Sequence, residues 1–87
     1  MKIYRIYTED KNRAGIVRIM ADCFAEGFSV FPCLGFFAGE TESGLVVEVL
    51  ASEDQRPLIL ACADQIKTAN SQQCVLVSEQ EVKTTFV

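Results

Sequence analysis

The chain has 87 residues, of which 49% are hydrophobic, and a formal net charge of −4. These values suit one ordered domain, residues 1–87, and exclude a disordered chain. Lysine and arginine form no basic stripe, so we expect no binding to nucleic acid. The N-terminus lacks a signal-peptide core, and no apolar run approaches the ~20 residues of a membrane span. We therefore expect a cytoplasmic protein that does not bind membranes.

The first two predicted elements are a strand and an amphipathic helix. Residues 2–8 alternate with apolar members, which is typical of a strand. Apolar residues then recur at helical spacing from Ile16 to Phe24. Gly27 suits a left-handed stop after this helix. The candidate N-caps are Thr8, Asp10 and Asn12.

The segment from Phe28 to Ala51 predicts a β-hairpin that is apolar on both faces, with a polar turn at residues 39–44. Phe28, Val30, Leu34 and Phe36 should face one way, and Phe31, Cys33 and Phe37 the other. A sheet with one wet face would alternate apolar and polar residues. We therefore expect another copy of the chain to cover the second face.

The last part of the chain predicts a second helix and one or two strands. Asp54 is the expected N-cap, because Pro57 then falls in the first helical turn. The helix should end near Asn70. Residues 74–77 predict a fourth strand, and residues 81–87 are compatible with a short fifth one. The predicted apolar face of the helix consists of Leu58, Cys62, Ile66 and Ala69.

The element order β-α-β-β-α-β predicts an α+β, ferredoxin-like sandwich. Right-handed crossovers give a four-stranded antiparallel sheet in the order 4-1-3-2, with both helices on one face. This architecture hosts many functions, so it names none by itself.

The predicted topology gathers three polar segments, 8–13, 39–44 and 70–73, at one end of the sheet. The first helix also points its N-terminus there, which suits an anion. We expect a small anionic metabolite, a nucleotide or a protein partner at this end, gripped mainly by Arg13, since a guanidinium can hold a carboxylate or phosphate with two bonds. The candidate ligand-binding residues are Thr8, Lys11, Asn12, Arg13, Gly39, Glu42, Asn70 and Gln72.

The sequence predicts no catalytic residue, cofactor or metal site. It lacks histidine and any Cys-x-x-Cys pair, so the four cysteines are interpreted as small core residues. Glu48 lies among valines and should pair with Arg5. The enzymatic alternative is a cofactor-independent catalyst that uses Glu42 or Glu48.

Two families resemble parts of this chain. Residues 35–43, followed by Val47-Glu48-Val49, resemble a pattern in small phage- and prophage-encoded proteins of unknown function. The segments 8–13 and 66–72 belong to the same pattern. The resemblance implies a PII- or CutA-like fold that is usually oligomeric. The hairpin turn is too short for the nucleotide-responsive loop of PII proteins, so ATP binding is not implied.

Residues 10–30 are similar to ACT domains, which bind amino acids at subunit interfaces; the usual Pro-Gly before the helix is here Ala14-Gly15. This resemblance implies an amino-acid-binding regulatory domain as an alternative function. The main prediction is a non-enzymatic homo-oligomer, a trimer or a dimer, that is phage-related and binds or sequesters a small ligand. A purely structural or assembly protein is the remaining alternative.

Overall fold

The computed structural model describes all 87 residues as one antiparallel sheet with two helices. The strand order β2-β3-β1-β4 confirms the predicted ferredoxin-like topology. No helix is long and apolar enough to cross a membrane. The elements are β1 (Lys2–Glu9), α1 (Arg13–Cys23), β2 (Ser29–Phe37), β3 (Glu40–Ala51), a 3₁₀ turn (Glu53–Gln55), α2 (Arg56–Ala69) and β4 (Leu76–Glu81).

Both helices pack on the same sheet face. Tyr4 and Ile6 of β1 lie directly opposite Val49 and Val47 of β3, and all four are buried. Directly opposed residues of an antiparallel pair share a face. The helices cover this face with buried residues of both elements, namely Ile16 and Met20 of α1 and Ile59, Cys62, Ala63 and Ile66 of α2. The predicted apolar face of α2 was wrong at two positions, since Leu58 and Ala69 are exposed and Ile59 takes a core position.

The other face of the sheet, here called the open face, carries no helix, and only Thr84 and Phe86 of the C-terminal segment lie beside it, in a shallow pocket shared with Glu48 and Leu50. One apolar row crosses all four strands, formed by Phe31, Val46, Tyr7 and Leu76. Leu76 is 65% exposed, and Phe37, further along β2 on the same face, is 74% exposed. The alternation predicted for the hairpin is therefore confirmed.

The hairpin of β2 and β3 extends beyond the rest of the sheet. β1 pairs with β3 only from Gly44 onward, whereas β2 and β3 stay paired out to Phe37 and Glu40. Residues 34–43 are called the hairpin arm. The predicted polar turn at 39–44 was wrong, because the turn is Ala38–Gly39, with φ of 51° and 79°. Residues 40–43 are polar because the arm extends past the helices, where a strand has no core to meet.

The start of α2 also differs from the sequence prediction. A 3₁₀ turn precedes the helix, and Ser52 takes the extended cap position, with its N–H donated to the Gln55 side chain at 3.1 Å. Asp54 was therefore the wrong N-cap, since it lies inside the turn. Pro57 does lie in the first turn of α2, where its missing N–H leaves no bond unmade.

The fourth strand begins at Leu76 and ends at Glu81, and residues 82–87 form no fifth strand. Val82 donates its N–H to the Met1 carbonyl at 3.1 Å. Because Met1 is the residue just before β1, this bond leaves no further residue for the tail to pair with on that side. The residues that follow have no strand beside them in the same copy.

We predict that Gly44→Ala destabilises the fold by about 1–3 kcal/mol, the usual range for overpacking. A Cβ at Gly44 would lie 3.0 Å from the Cys33 Sγ and 3.2 Å from the Thr8 carbonyl oxygen. Gly35→Ala is the matched control on the same hairpin, since its Cβ would meet nothing closer than 3.7 Å. Urea titration of the two variants should give a lower unfolding midpoint for Gly44→Ala. Equal midpoints would show that the atoms around Gly44 shift to accommodate the added Cβ without a loss of stability.

Candidate ligand-binding cleft

An open cleft of about 750 Å³ lies at the end of the sheet that the sequence singles out. Its walls come from the end of β1, the inner part of the hairpin arm and the loop between α2 and β4. The Asp10 N–H donates to the Ser43 carbonyl at 3.1 Å and joins two of these walls. The predicted convergence of three segments at this end is therefore present.

The loop after α2 is held against β1 by one side chain. The Gln72 amide donates to Thr8 Oγ1 at 2.6 Å and accepts from the Glu9 N–H at 3.1 Å. The loop leaves the helix through a Schellman motif, with Ser71 in the left-handed conformation (φ 53°) and the Gln72 N–H bonded to the Lys67 carbonyl. This wall of the cleft is therefore fixed by both backbone and side-chain bonds.

One of the two glycines in the cleft leaves the strand backbone open. Gly35 lies directly opposite Glu42, and Gly44 lies opposite Cys33; both line the cleft on the open-face side of the hairpin. The space at Gly44 is taken by the Cys33 side chain, whereas a Cβ at Gly35 would meet no atom closer than 3.7 Å. A bound molecule could therefore approach the strand backbone at Gly35.

The charged lining consists of two carboxylates and one ammonium group. Lys11 pairs with Glu9 at 2.8 Å, whereas Glu42 has no ion pair. Lys11 is the one cation in the lining, where an anionic group would have to compete with Glu9, and Glu42 is the free acceptor for a donor group.

The structure brings half of the predicted site residues to the cleft. Thr8, Lys11, Glu42 and Gln72 line it. The others lie outside its lining, and three of them have structural bonds. Asn12 is the N-cap of α1, and its side chain accepts from the Gly15 N–H at 3.2 Å. Asn70 is buried and donates to the Lys11 carbonyl at 3.2 Å, while Gly39 forms the tip of the arm.

Arg13, the residue expected to grip a ligand, is bound within its own turn. Its guanidinium donates two bonds to the Asp10 carboxylate, at 2.9 and 2.8 Å. These bonds hold the pKa of the Asp10 carboxyl below its usual value. An anion at Arg13 would have to compete with this bidentate pair.

The aromatic and thiol lining of the cleft was not among the predicted site residues. These additional residues are Tyr7, Phe36, Phe37, Cys33, Cys74 and Leu76. The sequence pattern could have indicated the two phenylalanines, because Gly35 and Gly39 flank them. Both phenylalanines are exposed in the structure. Such a pattern indicates a hairpin tip that is apolar without a core of its own.

The prediction that the cysteines are small core residues is correct only for Cys23 and Cys62, the two that lie on helices. Cys62 is fully buried, and burial raises the pKa of its thiol to about 12, assisted by the neighbouring Cys23. Cys33 and Cys74 are exposed in the cleft, so they were wrongly assigned to the core. All four thiols are free, and no group of three side chains is arranged to hold a metal ion.

Glu48 forms the predicted pair with Arg5. The two residues face each other across β1 and β3, and the Arg5 Nε lies 2.9 Å from Glu48 Oε2. Arg5 also donates to Gln80 at 3.3 Å. Glu42 lies six residues away along β3, about 20 Å in an extended strand, so the two carboxylates cannot act on one substrate atom.

Comparison with solved structures supports the fold. The chain is similar to a DUF3240 family protein from Shewanella baltica OS155, with a TM-score of 0.81 at 13% sequence identity. The match covers 99% of this chain and 93% of the other. No family model matches this chain, and no curated protein is similar to it in sequence. At 13% identity the similarity shows a shared fold alone, and the resemblance to phage-encoded PII- or CutA-like proteins stays a prediction.

We predict that Asp10 titrates below the usual range for aspartate and that Arg13→Ala raises its pKa, because the guanidinium bonds favour the charged carboxylate. A depressed pKa stabilises the fold at neutral pH, and this contribution is lost as the pH falls through the folded-state pKa. Arg18→Ala is the control, since Arg18 lies on the same helix without an ion pair. An NMR titration in which Arg13→Ala leaves the Asp10 pKa unchanged would contradict the pairing.

Proposed function

We propose that this chain is a small homo-oligomeric binding protein, without enzymatic activity, whose copies associate through the open face and whose ligand occupies the cleft. The observation that carries the proposal is the apolar row across the open face, in which Phe31, Tyr7 and Leu76 are 40%, 38% and 65% exposed around a buried Val46. Contiguous exposed apolar surface of this kind marks interaction sites in soluble proteins.

The polar centre of the open face also suits an interface. Arg5 and Glu48 are about 30% exposed, already paired at 2.9 Å, and flanked by apolar rows on either side. A charge pair that satisfies itself within one copy can be covered by another copy without leaving an unpaired charge. A trimer is the arrangement we propose first, and a dimer second.

The cleft supports the binding part of the proposal. It combines aromatic walls with the ammonium group of Lys11 and the free carboxylate of Glu42. Small-molecule sites combine apolar walls with polar groups that orient the ligand, and the cleft offers both. Lys11 is the group that would hold the predicted anionic ligand, and sequestration of a host molecule would follow from the predicted phage origin.

We predict that the wild-type chain forms particles larger than 9.6 kDa, the mass of one copy, in light scattering at micromolar concentration. Leu50→Lys should reduce this mass, because a charge would enter the proposed interface. Leu60→Lys is the matched control: Leu50 lies on the open face at 45% exposure, and Leu60 lies on α2 at 39%. A 9.6 kDa wild-type particle, or dissociation by Leu60→Lys alone, would refute the proposed interface.

We predict that a thermal-shift screen of nucleotides, amino acids and organic acids contains a compound that raises the melting temperature, since a binder of the native state must do so. For an anionic compound in the cleft, Lys11→Ala should weaken binding about ten- to hundredfold, the scale of a charged hydrogen bond. Lys67→Ala is the control, since Lys67 pairs with Asp64 on α2 and lies outside the cleft. If Arg13→Ala, and not Lys11→Ala, abolishes the shift, the ligand lies at the start of α1.

A further inference from the structure

The outer edge of β2 is the unprotected edge of the sheet. The strand order places β2 and β4 at the two edges. β4 has six residues and carries Glu79 and Glu81, whereas β2 has nine residues, Ser29–Phe37, and none of them is charged. A long, uncharged, apolar edge strand is a template for pairing with another strand, and soluble proteins normally charge, shorten or cover it.

The chain also has a β-prone segment without a partner. The C-terminal tail, Val82–Val87, forms no secondary structure, and its one backbone bond joins Val82 to Met1. Phe86 and Val87 are fully exposed. Five of its six residues are valine, threonine or phenylalanine, the residue types enriched in strands.

Charge and backbone chemistry direct the tail to the outer half of β2. Pro32 has no N–H, so pairing is interrupted there, and Cys33–Phe37 is the uninterrupted part of the edge. All of this part except Cys33 belongs to the hairpin arm, whose Glu40 and Glu42 have no ion pairs. Lys83 in the tail is likewise without an ion pair.

The tail of the same copy cannot reach this edge. It begins beside Met1, whereas Cys33 is level with Gly44 and Glu9 at the other end of β1. The separation is about 26 Å along the strands and about 14 Å across three strand spacings. One residue spans at most ~3.6 Å, so a strand that starts at Lys83 cannot lie beside Cys33–Phe37 of its own chain.

We infer that the C-terminal tail of one copy adds as a strand to the outer edge of β2, along Cys33–Phe37, of a second copy. This inference rests on the proposed homo-oligomer and names a contact within it. The contact joins two different surfaces, so a closed ring of copies would use every tail and every edge. It would also support the hairpin arm, and thereby one wall of the cleft, because a third strand stabilises a two-stranded hairpin.

The test is amide hydrogen exchange at Cys33–Phe37 in the full chain and in a variant that ends at Glu81. The truncation should leave the circular dichroism spectrum of the fold intact, since the tail makes a single backbone bond. In the full chain, the amides that point to the outer edge should be protected. In the truncated variant they should exchange at least tenfold faster, and a synthetic peptide of residues 80–87 should restore protection where a scrambled peptide does not.

Two readouts separate this inference from the proposed function. Equal exchange at Cys33–Phe37 with and without the tail would overturn the tail contact, whatever the particle mass. A wild-type particle of one copy would overturn the homo-oligomer and the tail contact together. An oligomeric wild type whose exchange is unaffected by truncation would leave the open-face interface standing and the inference refuted.

Discussion

The sheet has two apolar faces, and the chain has helices for only one of them. Two helices of 11 and 14 residues cover the face that carries Tyr4, Ile6 and Val47. No helix lies on the other face. Removing apolar surface from water is favourable by roughly 25 cal/mol of free energy per Å². An exposed apolar row therefore favours association with another copy. The proposed association of copies through the open face depends on this imbalance.

A second imbalance lies in strand length. β3 has 12 residues, whereas its neighbour β1 has eight, so the hairpin continues beyond the sheet as a two-stranded arm. The arm forms one wall of the cleft, and the loop bonded through Gln72 forms another. A two-stranded hairpin is only marginally stable in water. In the proposed assembly the ligand site and the contacts between copies would be coupled, because the same arm would serve both.

The sequence predicted the fold and the end of the sheet where the cleft lies. The apolar residues alternate with a period of two in the strands and recur at helical spacing in the helices, so each element could be recognised. It also predicted the Arg5–Glu48 pair, since a carboxylate among valines needs a partner. It failed at the arm, where strand residues are polar because no helix covers them, and at Asp54, where a 3₁₀ turn intervenes. It could not show that Arg13 is held by Asp10, because an arginine at the start of a helix is also typical of an anion site.

Small-angle X-ray scattering tests the central claim, that another copy covers the open face, without any substitution. One copy has a Cα radius of gyration of 13.0 Å. A compact trimer of this length should have a radius of gyration of about 18 Å, and a dimer about 16 Å. Values in that range at micromolar concentration are the predicted result. A radius near 13 Å, independent of concentration, would show that the open face remains in water and would contradict the account.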